Sequence, residues 1–321
     1  MKRPLQALLT TLFLGATLAA GPVPASHWDP GSADGSARPH TVIEQLACGP
    51  GTYILRENLR DTFEAPFMYL LVGNQRALLI DTGDIADPRI APLAATVLGL
   101  LPDTGHGRLP LLVTHSHKHL DHRAADPQFQ GLPGVELVLP DLDHVKARFG
   151  FSDWPKGAAQ IDLGGRIVDV LPVPGHHAAH LLFYDRQTAL VFSGDFLLPG
   201  RLLVDDRAAY QASAERIAAF VHDRPVSAVL GGHVEMDRAG QLFPWQSLYH
   251  PDERPLPLAK EDLLALPAAL ARFNGFYTHT GGFVIENTLH NLEAAGVALL
   301  VALAGLVYLG ARWIRRWRRS R

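Results

Sequence analysis

Four histidines and an aspartate fall within nine residues of the stretch Thr114-His115-Ser116-His117-Lys118-His119-Leu120-Asp121-His122, a density foreign to core composition. Neutral imidazole and carboxylate are the ligand types that suit Zn²⁺. Two ligands from His-x-His and two from the adjacent Asp-His exceed what one tetrahedral ion with an open position takes, so the pattern points to two metals. The stretch follows Leu109-Pro110-Leu111-Leu112-Val113, a short apolar run that reads as a buried strand delivering the histidines onto a loop.

The stretch allows two registers. His115, His117 and His119 form two overlapping His-x-His pairs, but only the frame that starts at His117 completes H-x-H-x-D-H with Asp121 and His122. That motif resembles the signature of the metallo-β-lactamase superfamily, and further elements of the family pattern follow in order. Pro174-Gly175-His176 comes after the strand-like Arg166 to Leu171, Ser193-Gly194-Asp195 after Thr188 to Phe192, and Gly231-Gly232-His233 after Val226 to Leu230. Upstream, Ala77 to Ile80 leads into Asp81-Thr82-Gly83, matching the strand-Asp-x-Gly element that buttresses such sites. The resemblance covers residues 40–250 and is nearest in motif to hydroxyacylglutathione hydrolase-like members.

The resemblance implies an α/β fold, a four-layer αββα sandwich of two face-to-face sheets with helices outside. It places His117, His119 and His176 on a first ion and Asp121, His122 and His233 on a second, with Asp195 shared. Two Zn²⁺ are the implied cofactors, and other divalent transition metals also suit the set. His115 is left to end the strand or support the site. The implied activity is that of a dinuclear zinc-dependent hydrolase in which a metal-bridged hydroxide attacks an ester, thioester or lactone carbonyl. Asp195 bridges and Asp121 lies on the proton path to the leaving group, which makes both catalytic.

A phosphodiesterase would use the same site, and a β-lactamase is disfavoured because β-lactamases with this motif lack the bridging aspartate. A non-catalytic, membrane-tethered binding module is the remaining alternative, against which stands the complete ligand set. Departures from the pattern are Arg123-Ala124-Ala125, where Gly-Gly is usual, and His177-Ala178-Ala179, where Thr-x-Gly is usual. Arg123 and His177 are candidates for contact with a substrate anion or for structural roles. His180 is similar to a histidine that supports a ligand in hydroxyacylglutathione hydrolases. The long helical substrate domain of those enzymes is replaced here by the short segment Pro251 to Phe276.

The elements around these motifs are legible in outline. At 321 residues, 47% hydrophobic and 19% charged, the chain has the composition of a globular protein with a sizeable core. Tyr53 to Arg56, Met68 to Val72 and Ala77 to Ile80 read as strands, with Ile90 to Leu101, Leu142 to Phe149 and Arg207 to His222 as helices. Residues 1–25 carry the basic, apolar and small-residue parts of a secretory signal. Residues 26–39 read as a linker, 40–250 as the catalytic domain and 251–290 as a C-terminal extension.

Residues 294–311 hold no charge and are long enough for a transmembrane helix. The tail 312–321 adds two tryptophans and six arginines, which the positive-inside rule places in the cytoplasm with the catalytic domain on the periplasmic side. Without Lys2, Arg3 and the tail arginines, 21 basic side chains face 32 acidic ones, which argues against a nucleic-acid partner and for a small-molecule substrate. The single cysteine, Cys48, has no internal disulfide partner and is expected as a buried, idle thiol.

Overall fold

The computed structural model describes residues 28–35, 40–105 and 107–320; the expected signal at 1–25 and part of the expected linker lie outside the described residues. Consecutive apolar residues in the early strands send side chains to both faces of a sheet, which then needs cover on both. β1 (Ile43–Ala47), β2 (Thr52–Glu57), β3 (Phe67–Val72) and β4 (Ala77–Ile80) form an antiparallel meander. β5 (Leu111–Thr114) and β6 (Val135–Leu137) extend it in parallel. One face, with Ile54, Tyr69, Leu78 and Leu112, joins the core between the sheets. The other, with Leu55, Leu70, Leu79 and Val113, is covered by α1 (Leu93–Leu100) and α2 (Asp126–Phe129). The helix expected over Ile90 to Leu101 starts at Leu93, because Pro92 sits at its N-cap.

α3 (Leu142–Phe149) leads to the second sheet, in which β7 (Ala159–Asp162), β8 (Ile167–Pro172), β9 (Leu181–Asp185) and β10 (Leu190–Gly194) run antiparallel. β11 (Arg201–Leu203) leaves this sheet for a third, α4 (Arg207–Val221) crosses its back, and β12 (Ala228–Gly231) returns parallel to β10. Val168, Val170, Phe183 and Phe192 meet the first sheet, and Val191 and Val229 face outward. Residues 251–290, expected as an extension, carry α5 (Lys260–Arg272). Its Leu263, Leu266, Ala269 and Leu270 share one core with Tyr210, Ala214 and Ile217 of α4. The result is the αββα sandwich. Part of the linker is also built in: the Trp28 ring meets Phe67 edge-on at 5.3 Å, and Asp29 pairs with Arg60 at 3.0 Å.

β13 (Tyr277–His279) and β14 (Val284–Glu286) complete the small sheet in the order β11-β14-β13, with β14 parallel to β11. Asn287 then caps α6 (Thr288–Arg319), its side chain accepting from the His290 amide at 2.9 Å. α6 has 32 residues, buries none of them and reaches a mean hydropathy of 2.2 over its apolar window, so by length and composition it can cross a membrane.

At the end of the sandwich remote from the histidines, Arg166 ties the two sheets together. Its guanidinium donates to Asp185 Oδ2 at 2.7 Å and Oδ1 at 3.3 Å, to the Gly51 and Val72 carbonyls at 2.7 and 3.2 Å, and to Thr52 Oγ1 at 2.7 Å. Every N–H of the fork is used, and Arg166 and Asp185 are both buried. Removing one member leaves the other charge buried without a partner, which costs about 3–5 kcal/mol. Arg166→Met is therefore expected to lower stability by about that amount, and adding Asp185→Leu to recover part of it. Denaturant midpoints of the detergent-solubilised chain check this; a double variant no more stable than Arg166→Met would show that the charge is not the cause.

Candidate metal centre

Each chemical residue sits just past the C-terminal end of a strand: His115 to His122 after β5, His176 after β8, Asp195 after β10 and His233 after β12. These ends lie together at one edge of the sandwich, so side chains far apart in sequence converge. His117 Nε2, His119 Nδ1 and His176 Nε2 form one cluster, with separations of 2.9, 3.0 and 3.2 Å. Asp121, His122, Asp195 and His233 form the other. There Asp121 Oδ2 lies 3.2 Å from His122 Nε2 and 3.1 Å from His233 Nε2, and the two Nε2 atoms are 3.2 Å apart. Asp195 divides its carboxylate between them. Oδ2 faces His117 and His176 at 3.9 and 3.6 Å, while Oδ1 faces His122 and His233 at 3.4 and 3.7 Å.

The donor chemistry fits a divalent metal. His176 Nδ1 donates to the Leu203 carbonyl at 3.0 Å, His233 Nδ1 to the Glu64 carbonyl at 2.7 Å and His122 Nδ1 to Asp81 Oδ2 at 3.0 Å. Ser116 Oγ donates to Asp81 at 2.8 Å, which leaves it to accept from His117 Nδ1 at 3.1 Å. A neutral imidazole carries one proton, so the outward bonds fix these tautomers and leave lone pairs on the inward Nε2 atoms. Lone pairs facing each other at hydrogen-bond distance repel unless a cation lies among them. Asp195 Oδ1 is likewise buried with no hydrogen-bond partner among the described residues.

Electrostatics divides the two clusters. Burial, reinforced by neighbouring histidines, holds His117 and His119 below the ordinary histidine range, which favours their neutral, electron-pair-donating forms. In the second cluster burial alone would raise the carboxylates, but His122 and His233 outweigh it and hold Asp121 and Asp195 well below their usual range. Conversely, burial opposes charge on His233, but Asp195 and Asp121 outweigh it and push it up to about 10. This cluster holds a proton unless a metal ion takes its place.

Asp81 organises the supports. Oδ1 accepts the Ser116 amide at 2.6 Å, and Oδ2 accepts Ser116 Oγ and His122 Nδ1. Its φ of 67° puts a non-glycine residue in the left-handed region, a strain that the bonds around it sustain. Glu57 braces the following loop by accepting the Asp84 and Ile85 amides at 2.8 and 3.2 Å, while burial pushes its carboxyl up to about 7. Gly232 is required by space: a Cβ there would lie 2.4 Å from Asp195 Oδ1 and 2.8 Å from His122 Cε1.

His115 stands outside both clusters. Its Nε2 meets Asp126 Oδ1 at 2.7 Å and its Nδ1 the Val138 carbonyl at 3.1 Å, so both nitrogens are engaged. His180 lies against the His117 ring at 4.8 Å and bonds the Ser193 carbonyl at 3.2 Å. Arg123 turns back onto the Lys118 carbonyl at 2.8 Å, bracing the histidine loop, and His177 Nδ1 accepts the Ala179 amide at 3.1 Å. Over the two clusters the pocket is walled by Glu64, Leu198, Arg201, Leu203 and Trp245. Sequence reasoning named none of these walls. Burial raises the Glu64 carboxyl to about 7, with Asp121 and Asp195 adding to the effect against the pull of His233. The Arg201 guanidinium lies 4.5 Å from the Trp245 ring centre.

Comparison with known proteins agrees with this geometry. Acyl-coenzyme A thioesterase MBLAC2 of Gallus gallus is 27% identical over 234 residues, 63% of this chain and 84% of that protein. A hydroxyacylglutathione hydrolase of Aeromonas hydrophila is 32% identical over 165 residues, 50% of this chain but only 59% of the enzyme, so the chain spans a part of that relative. The crystal structure of a metallo-β-lactamase from Erythrobacter litoralis shares the fold at 13% identity, with a TM-score of 0.50 over 74% of this chain and 99% of that one. Residues 61–271 match the sequence profile of the metallo-β-lactamase superfamily, and the chain, with its paired histidine and aspartate clusters at one edge of an αββα sandwich, belongs to that superfamily.

Proposed function

We propose that the protein is a dinuclear zinc-dependent hydrolase of acyl esters, with thioesters as the leading class. The observation that carries this reading is the division of Asp195 between the two clusters, since a carboxylate shared in this way serves two ions better than one. His117, His119 and His176 would hold the first ion, Asp121, His122 and His233 the second, and Asp195 both. When bound, such ions supply Lewis acidity for the scissile carbonyl and bring the pKa of solvent to near neutrality.

The chain's own residues do the rest. The outward hydrogen bonds of His117, His122, His176 and His233 hold the inward nitrogens in place without reorganisation. Asp121, ionised and lining the pocket, lies on the path by which solvent would deliver a proton to the departing group. Leu198, Leu203 and Trp245 give the acyl group an apolar wall. The similarity to the Gallus gallus acyl-coenzyme A thioesterase supports the choice of a thioester.

α6 completes the proposal as a membrane anchor. An arginine at the bilayer centre costs about 2.5–3.5 kcal/mol, so the uncharged stretch 294–311 inserts while the arginine-rich flank stays out, in the cytoplasm. Protease added to intact spheroplasts is expected to digest the catalytic domain and spare the tail. A protected domain beside a digested tail reverses this topology.

The chemistry is checked on a panel of thioesters, esters, lactones, β-lactams and phosphodiesters. Turnover of acyl substrates that a chelator abolishes and Zn²⁺ restores is expected; turnover confined to phosphodiesters or β-lactams overturns the reading. Ligand assignment is checked by metal analysis. His115→Ala is expected to keep its metal and His117→Ala to lose it. Asp195→Ala is expected to lower occupancy and cut turnover by about a hundredfold or more, since even outer partners of metal ligands are worth ~10–100-fold. A fully metallated, active Asp195→Ala protein would remove the bridging role.

A further inference from the structure

The membrane helix is bolted to the wall of the pocket. Leu203, whose carbonyl fixes the His176 tautomer and whose side chain lines the pocket, pairs with Glu286 in the β11–β14 ladder. The next residue, Asn287, caps α6 and reaches back to the Val204 carbonyl with its Nδ2 at 2.9 Å. The first turn adds two more holds on the domain: His290 Nδ1 to the Gly275 carbonyl at 3.0 Å and Asn291 Nδ2 to the Phe276 carbonyl at 3.3 Å. A helix held through three side chains is docked to the domain and fixes its height and tilt.

The height is short. Eight steps along the chain lead from Glu286 to Ala294, where the uncharged stretch begins. At ~3.3 Å per extended and ~1.5 Å per helical residue they span about 15 Å, of which the headgroup layer takes ~5–8 Å. The residues around this junction suit an interface. Phe276 and Tyr277 are 46% and 45% exposed beside the head of the helix, and Leu289 and Leu292 of its first turns are more exposed still. Exposed aromatic rings at this level are the side chains that favour the headgroup zone.

We infer that the outer surface of the bilayer carrying α6 also seats the catalytic domain through Phe276, Tyr277, Leu289 and Leu292, and that the substrates are membrane-dissolved amphiphiles, acyl esters or thioesters with long acyl chains. The inference deepens the acyl-hydrolase reading and rests on it and on the spanning role of α6. A pocket wall of Leu198, Leu203 and Trp245 held at a fixed short distance above the lipid meets such chains at their surface concentration, without their transfer through water.

Two measurements on the full chain in phosphatidylcholine vesicles test it. In the first, Tyr277→Cys is labelled with an environment-sensitive fluorophore. Cys48 stays silent, being buried with its thiol pushed up to about 11. Lipids carrying a nitroxide near the headgroup are expected to quench the label and aqueous iodide to spare it; the reverse overturns the seating.

In the second, a ten-residue Gly/Ser insertion after Asn291 uncouples the domain from the spanning stretch. Hydrolysis of a soluble two-carbon acyl thioester is expected to stay unchanged, while that of a vesicle-dissolved sixteen-carbon acyl thioester falls about tenfold or more as effective concentration is lost. Equal rates for both chain lengths before and after insertion overturn the substrate class. Hydrolysis of neither thioester by the native chain overturns the acyl reading itself, and the substrate class with it, while the quenching result stands on its own for the seating.

Discussion

The constraint on which the structure depends is that imidazole lone pairs must point inward at one small volume. Four side chains meet it in the same way, by giving the outward ring proton to a fixed acceptor: Ser116 Oγ for His117, Asp81 for His122, and the Leu203 and Glu64 carbonyls for His176 and His233. Each acceptor belongs to a different segment, so placing the acceptors amounts to placing the fold. The strained backbone of Asp81 and the missing side chain of Gly232 are local costs of this arrangement. They are sustained by burial on all sides, since the sandwich core continues to within three positions of the clustered side chains, at Phe192 and Val234.

The same logic accounts for the charged side chains in the interior. Arg166 closes the sandwich at the end away from the histidine and aspartate clusters, and Arg56 does similar work nearer the site, its guanidinium forked onto the Glu253 carboxylate at 2.7 and 2.8 Å. A buried ion pair adds little net stability against an apolar replacement, but its geometry is specific, and what these two pairs supply is register between segments. Arg56 fixes the chain after His233 against β2, and Arg166 fixes the start of β8 against the first sheet.

Most of the site was legible in the sequence because ligand spacing within a loop is a local property. The frame starting at His117 follows from Asp121-His122 once the spacing of the resembled family is applied, and in the structure His115 is consumed by Asp126 and Val138. The strands were legible because their apolar runs are continuous. What escaped was non-local. α5 looked like an extension because its apolar stripe, Leu263 to Leu270, has no partner until α4 is folded against it. Glu57, Glu64 and the Leu203 carbonyl act through tertiary contact, and a carbonyl has no sequence signature. Arg123 and His177, noted for their departure from the family pattern, are engaged by the backbone of their own loops.

The small third sheet shows how the architecture uses one short strand twice. β11 supplies the carbonyl that sets the His176 tautomer, and its partner β14 runs directly into the cap of α6. A tether made only to keep the domain near a membrane needs no hydrogen bonds to it; a flexible linker would do so at lower entropic cost. Here the ladder from Arg201–Val284 to Leu203–Glu286 and the grip of Asn287, His290 and Asn291 restrain the junction instead. Ordering that junction costs conformational entropy, and its return is positional: the edge of the sandwich that holds the candidate metal ligands is registered against the helix long and apolar enough to cross a membrane.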